Sequence, residues 1–315
     1  MVPRMSLLVI SHVFGETQIA NLKSLCHQTL SSDLFELILV LDGCRASSLA
    51  NAALPSCARF QLLELPAAQG RSKARNAGLE AAKGEFITSL DGDMIPDPGL
   101  LHAYLELQSR QPGMYIGVRS YSLDPPSECD LESPQALASF VGRPTAKPDY
   151  RTRFLHLTDF LVQAAEPFWA VSTCNCSYPA ASALACGGFD EALSGWGLED
   201  QEFGFRLWAS GLPFGYAHSA LATHIEHERA RKSELVSWIR NRAYCVQKHG
   251  SRFSNPYKSM GQPILATAVT IPPGQSHESN LLTRQLRIAA APEAQRLLAP
   301  RFNAEKAAKK NQTAP

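Results

Sequence analysis

The sequence predicts an α/β fold with a largely parallel sheet, and three observations carry that prediction. Short, nearly continuous apolar runs, SLLVISHV, FELILVLDG and EFITSL, alternate with stretches of helical periodicity. The runs do not alternate apolar with polar residues, so both faces of each strand are expected to be buried, as in a parallel sheet covered by helices. Acidic residues stand where two of these strands end: Asp42 closes the second run, and Asp91 and Asp93 follow the third. That edge is where open α/β sheets hold ligands.

The first element is a strand over SLLVISHV, followed by a helix-compatible stretch around Asn21 to Gln28 and a strand centred on Leu37 to Leu41. A short strand follows at Phe60 to Leu65. In RSKARNAGLEAAKG the small residues Ala74, Ala77, Gly78 and Ala81 recur at helical spacing, which lets that helix pack close to the sheet; Ser72 is its expected N-cap and Gly84 its stop. After EFITSL, Pro96 and Pro98 end the extended run, a helix covers Leu100 to Leu107, and a strand occupies Met114 to Tyr121. The Pro-, Ser- and acid-rich segment Ser122 to Arg151 reads as a long surface loop, either a substrate lid or disordered, with room for a short helix. WAVSTCNCSY reads as a strand and PAASALACGG as a short helix closed by glycine. The Gly195-Trp196-Gly197 turn then leads into a helix from near Glu199 to Gly211 that turns Phe203, Leu207 and Trp208 inward. ALATHIEHE is a strand exit and Glu234 to His249 an amphipathic helix. Beyond Ser251 come a Pro/Gly-rich interruption, a helical segment around Leu281 to Leu298 and a frayed, Lys-rich end.

Composition narrows the function classes. With 315 residues, 45% hydrophobic and 19% charged, the chain has material for one large domain and a tail. A net charge of +1 gives no global field to recruit nucleic acid or an anionic membrane. The eight cysteines are scattered, and Cys174 and Cys176 are spaced too tightly for a usual zinc pair, which fits a reduced, cytoplasmic setting. The early apolar stretch Leu7 to Ile10 is too short for a secretory signal. No apolar run approaches the roughly 18 residues of a membrane helix, so any membrane association is expected to be peripheral, at the inner face.

Asp91-Gly92-Asp93 is the first candidate site. Two carboxylates at i and i+2 can present oxygens to one hard cation, with substrate phosphates completing the shell. The same tripeptide is ordinary turn chemistry, with Gly supplying positive φ. An EF-hand is excluded, because its loop needs Gly and Glu where this chain has Pro96 and His102. LDGDMI also looks locally like the motif of haloacid dehalogenase-type phosphatases, which would make Asp91 a nucleophile; against it stand the three strands expected before the motif and Ile95 at its fifth position. Glu199-Asp200 forms a second acidic cluster, which as first-turn acids would also complement a helix dipole by about 0.3–1 kcal/mol.

Taken together, the motifs resemble family 2 glycosyltransferases and, in the second half, the galactosyltransferase-like region of bacterial polysaccharide and chondroitin polymerases. LILVLDGC, GRSKARNAG, LDGD, NCS, GWGLEDQEFGFRL and THIEH occur in the family's order, and the resemblance spans Ser6 to Glu228. Two features depart from it: SHVFGE stands where the family often has a P-x-Y-N exit, and Leu41-Asp42-Gly43-Cys44 replaces the usual double Asp before Gly-Ser. The resemblance implies a GT-A fold, with a nucleotide-sugar half over 1–121, an acceptor and catalytic half over 122–250, and a C-terminal extension over 251–315.

What the resemblance implies chemically is a metal-dependent, inverting transfer of a sugar from a nucleotide diphosphate donor, UDP-sugar first, to a hydroxyl of a saccharide or glycoconjugate. Asp93 would ligate the metal with Asp91 in support and His224 as third ligand, His227 being the fallback; imidazole favours Mn²⁺ over Mg²⁺. Asp200 would be the general base and Glu199 a contact to donor or acceptor hydroxyls. Trp196 and Asn175 would face the acceptor. Asp42 would meet the uracil imide, Arg71 and Arg75 the phosphates or base, and Ser11 with His12 the nucleotide wall. The rivals are a magnesium-dependent phosphatase using Asp91 and a non-catalytic sugar-binding protein.

Overall fold

Eight strands form one mixed sheet in the order β3-β2-β1-β4-β7-β6-β8-β5. The computed structural model describes residues 2–46, 59–227 and 231–253. β1 (Met5–Ser11), β2 (Phe35–Asp42), β3 (Arg59–Leu65) and β4 (Phe86–Asp91) are parallel neighbours. β7 (Asn175–Pro179) lies antiparallel to both β4 and β6 (Met114–Ser122), β8 (Phe214–Ile225) is parallel to β6, and β5 (Met94–Pro96) closes the edge antiparallel to β8. Every residue of β1 and β2 is buried, as their unbroken apolar pattern requires.

Helices cover both faces. Leu22 and Leu25 of α1 (Glu16–Leu25) and Leu100, Leu101 and Tyr104 of α3 (Leu100–Arg110) pack with Leu7, Val9, Leu37 and Leu39 on one face. α2 (Arg71–Ala81) lies on the other, where a Cβ on Gly78 would come 3.2 Å from Val40 and 3.4 Å from Leu8, so its small residues do permit close packing. Each fully buried Leu contributes about 1.5–3 kcal/mol. Two helix starts differ from those the sequence predicts. α2 is capped at Gly70, while Ser72 lies inside it and donates to the Leu193 carbonyl; α1 begins five residues before Asn21.

Three larger differences matter for the site. Pro96 ends the extended structure as expected, but only after an unexpected short edge strand, β5, in which its missing N–H costs no ladder bond. Ser122 to Arg151 is a folded covering, in which Ser133 caps α4 (Pro134–Val141) and Leu137, Phe140 and Val141 pack on Ile95 and Ile225. WAVSTCNCSY is a strand only from Asn175; the preceding residues form a 3₁₀ turn at Pro167–Ala170 and a buried turn through Cys174. α5 (Thr152–Leu157), α6 (Ala180–Ala185), α7 (Glu199–Ala209) and α8 (Arg231–His249) complete the described α-helices. Phe203 and Leu207 of α7 are buried, whereas Trp208 is half-buried.

Asn175 serves this architecture. The β6–β8 pairing shifts register after Gly117, and the Asn175 amide donates to Val118 O at 2.9 Å and Ala220 O at 3.0 Å while accepting from the Tyr104 hydroxyl at 2.8 Å. With 0% exposure it has no surface for an acceptor, so the expected acceptor-side role is corrected. Asn175→Ala leaves three buried partners unsatisfied, at about 1–3 kcal/mol each. A urea midpoint shift equivalent to at least about 3 kcal/mol is expected; a shift below about 1 kcal/mol would contradict this role.

Met1–Ser254 forms one compact unit. The expected tail elements, including Leu281 to Leu298, lie outside the described residues. Among the described residues no helix is long and apolar enough to cross a membrane.

Candidate active site

Strand order places β2 and β4 on opposite sides of β1, so a crevice opens beyond the C-terminal ends of β1 and β4. A cleft of about 510 Å³ lies there, and Ser11, Asp42, Arg71, Arg75, Asp91 and Asp93 all line it. Four of these are strand or turn residues at the sheet edge, and the two arginines open α2.

Gly92 has a packing purpose. It is not among the glycines of positive φ, but a Cβ there would lie 2.9 Å from the Ser11 Cβ, and its N–H donates to Ile10 O at 2.9 Å. Only a residue without a side chain fits between the ends of β1 and β4, and this seats Asp91 and Asp93 on the cleft. β5 then carries the chain to β8: Met94 pairs with His224 and the Ile225 N–H donates to Asp93 O at 2.9 Å. Asp93, His224 and His227 thereby offer ligand atoms within 4.8 Å of one another. His224 Nε2 and His227 Nε2 stand 3.4 and 3.2 Å from Asp93 Oδ2.

This donor set fits a divalent first-row cation, because two imidazoles and a carboxylate suit Mn²⁺ better than Mg²⁺. Asp93 Oδ1 is buried and has no hydrogen-bond partner, as expected of an atom arranged for a further ligand, while His224 Nδ1 stands 3.6 Å from Glu226 Oε1. Burial alone would raise the Asp93 pKa, but hydrogen bonds from His224 and His227 hold it well below the usual carboxylate range. The Tyr121 ring packs on His224 at 5.4 Å and fixes the imidazole plane. His227 thus joins the cluster together with His224, rather than in its place; Asp91 is not part of it.

Asp91 faces a different partner. Arg75, 2% exposed, places Nη2 at 3.3 Å from Asp91 Oδ1 and Nη1 at 3.3 Å from Asp200 Oδ1 and 3.7 Å from Glu199 Oε1. One guanidinium therefore joins the end of β4 to the start of α7. Burial opposes its charge, yet Asp200, Asp91 and Glu199 raise its pKa above the ordinary arginine range. Burial is also the main cause that raises Glu199, with Asp200 adding to it, and that raises Asp91 despite Arg75. Three carboxylates thus crowd one buried cation, which is more than helix-dipole compensation requires.

The Gly-Trp-Gly turn holds α7 in place. Gly195 and Gly197 take φ of +77° and +99°, and Leu198 at +72° is a non-glycine in the left-handed region. α8 closes over the turn: Asn241 donates to Ser194 O and Gly197 O at 3.2 and 2.9 Å, Ser237 Oγ accepts from Trp196 N–H, and Arg240 bonds to Ser194 O. Trp196 is half-buried in this turn. Arg71 donates to Gly195 O at 3.2 Å and stands 4.0 Å from Glu199, so it touches both the cleft and the turn.

At the other end, both oxygens of Asp42 accept backbone N–H groups, from Gln69 at 2.5 Å and Gly70 at 2.8 Å, leaving only its remaining lone pairs to the cleft. Ser11 and His12 both line the cleft. Sequence reasoning missed Thr173, which donates to Asp200 through its hydroxyl at 2.6 Å and its N–H at 3.2 Å. No pattern in the sequence ties it to a residue 27 positions away.

Family profiles match in tandem: glycosyl transferase family 2 over residues 15–162, and the N-terminal domain of galactosyltransferase over 161–228. The chain is 30% identical over 189 residues to validoxylamine A glucosyltransferase of Streptomyces hygroscopicus subsp. jinggangensis, covering 57% of this chain and 45% of that protein. It is 33% identical over 166 residues to chondroitin synthase of Escherichia coli, covering 48% and 24%. The chain thus spans less than half the length of these relatives. Among solved structures, S. aureus TarS 1–349 in complex with UDP-GlcNAc is similar with a TM-score of 0.55 at 15% identity, over 92% of this chain and 82% of that one. A mannosyltransferase from Pyrobaculum calidifontis, in complex with GDP-Man and Mn²⁺, gives 0.55 at 14% identity over 93% and 82%. At such identities the likeness is one of fold.

Proposed function

We infer that this chain, which belongs to glycosyl transferase family 2, transfers a glycosyl group with inversion from a nucleoside diphosphate sugar, UDP-sugar foremost, to a hydroxyl of a saccharide or glycoconjugate. The observation that carries this reading is the Arg75 guanidinium shared by Asp91 and Asp200, with the Asp93, His224 and His227 cluster on the same cleft. A donor-binding edge and a candidate base from separate halves of the chain are thereby joined at one place.

In this reading Asp93, His224 and His227 hold one divalent cation, Mn²⁺ by preference, and Asp91 supports the donor beside it. When bound, the cation supplies positive charge to the leaving diphosphate. Asp42, Ser11 and Arg71 form the nucleotide end, and Arg71 carries the donor position to the Gly-Trp-Gly turn, where Trp196 and Glu199 serve the sugars. Asp200 takes the acceptor hydroxyl proton as that oxygen attacks the anomeric carbon from the face opposite the diphosphate, so one displacement inverts the centre. A phosphatase using Asp91 is not favoured: the Asp91 carboxylate is paired to Arg75, and the glycosyl transferase family 2 profile runs through the motif on both sides. A binding-only role leaves the Thr173-held Asp200 unexplained.

Thermal unfolding with UDP, GDP and UDP-sugars, each with and without Mn²⁺, tests the reading. A ligand at 100 times its Kd stabilises the native state by about 2.7 kcal/mol. Uridine nucleotides are expected to do so only with Mn²⁺; no nucleotide response in either condition counts against the proposal. His227→Ala and Asp93→Asn are each expected to weaken Mn²⁺ binding, read by electron paramagnetic resonance, by more than about 10-fold, since even outer-shell partners cost that much.

A further inference from the structure

We propose that Thr173 is a positioning residue for Asp200, and that the turn carrying it, residues 172–174, sets the orientation of the base; this rests on Asp200 acting as the base. Thr173 is fully buried. Its hydroxyl donates to Asp200 Oδ1 at 2.6 Å and its N–H to Oδ2 at 3.2 Å, so one residue grips both carboxylate oxygens. The terminal torsion of an Asp is otherwise broad, and rotation about it here breaks both contacts. Arg75, at 3.3 Å, supplies charge but a less specific orientation, because the same guanidinium also serves Asp91 and Glu199.

The turn is braced from three directions. Asp91 N–H donates to Cys174 O at 3.2 Å, tying it to the end of β4. Gln201 Nε2 donates to Val171 O at 2.8 Å, tying it to α7 just past Asp200. From the far side, Arg119 Nη1 reaches Ser172 Oγ and Cys174 Sγ, both at 3.3 Å. Asp149 holds Arg119 through two contacts at 3.1 and 3.0 Å and also pairs with Arg151 at 2.6 Å, in a cluster whose side chains are at most 8% exposed. Fixing a geometry is one attested use of buried charges. The geometry fixed here is that of the turn, so the covering segment that supplies Asp149 and Arg151 acts as a brace on the base.

Thr173→Val removes the hydroxyl and keeps the branched shape and the backbone donor. Release of UDP from UDP-glucose and UDP-N-acetylglucosamine with Mn²⁺, with water or added monosaccharides as acceptor, reads its effect. The proposal expects kcat to fall about 10- to 100-fold with KM for the nucleotide sugar within about twofold, as for a misplaced catalytic group, and Thr173→Ser to restore the rate. A crystal structure of Thr173→Val gives a readout that needs no turnover: the Asp200 carboxylate should rotate or split between conformers, and a carboxylate in its original place overturns the proposal. Full turnover in Thr173→Val with an inactive Asp200→Asn also overturns it while leaving the base standing. Full turnover in Asp200→Asn removes the base itself and the proposal with it.

Discussion

Replacing Arg75 by leucine is expected to destabilise the protein by about 3–5 kcal/mol, the usual cost of removing one partner from a buried ionic cluster. The size follows from what is left behind. Asp91, Glu199 and Asp200 all pair with this guanidinium, and among the described residues a second arginine, Arg71, forms an ion pair with Glu199 alone, at 4.0 Å. The sign with pH is also fixed. Glu199 and Asp91 already titrate above their ordinary values because of burial, and losing the cation moves them further up. A carboxyl whose folded-state pKa is raised supports folding below its unfolded value, near about 4, and loses that support as pH rises through the folded value. The deficit in Arg75→Leu should therefore be smallest near pH 4 and grow toward neutrality, read by urea unfolding across that range. Arg75→Lys keeps the charge but loses the planar fork that spans Asp91 and Asp200, so it should recover only part of the stability. A deficit below about 1 kcal/mol, or one flat with pH, would mean the three carboxylates do not depend on Arg75.

How far the site could be seen in the sequence depended on whether its residues sit at the ends of regular elements. Asp42 and Asp91 were legible because each closes an apolar strand, and their shared edge follows from parallel pairing with β1. Arg75 was legible as a residue of α2 near the cleft, but not as the tie between two acidic clusters, since helical periodicity says nothing about what lies across the cleft. β5 was hidden by Pro96, and with it the register that sets Asp93 beside His224. Without that register, His224 and His227 look like alternatives, whereas the structure gathers both around Asp93. The strand expected through Thr173 failed for a general reason: a buried apolar turn and a buried strand have the same composition. Asn175 misled because an Asn in the NCS block of the family resemblance invites a ligand role, while the register shift it repairs exists only in three dimensions. The segment from Ser122 to Arg151 looked like a surface loop by its prolines and acids, yet the Asp149 it buries pairs with Arg119, whose guanidinium reaches the turn at 172–174.

Asp200→Asn is the substitution expected to cost most in turnover. General base catalysis contributes about 10²- to 10⁴-fold, and the amide keeps the shape of the carboxylate while losing its ability to take a proton. Thr173 can still donate its hydroxyl to the amide oxygen, so α7 and the turn at 172–174 should stay together. Asp200 is not among the residues that line the cleft, nor in the Asp93, His224 and His227 cluster. Stabilisation by uridine nucleotide with Mn²⁺ should accordingly remain at the parent level while transfer falls about 10³-fold, within that range. Asp93→Asn should show the opposite pattern, losing the Mn²⁺-dependent stabilisation along with turnover. The contrast separates the two ends of the proposed site, where one carboxylate would act on the acceptor proton and the other on the donor's charge. If Asp200→Asn instead transfers at the parent rate, the proton must leave by another group, and the Arg75 bridge would be a support of the fold alone.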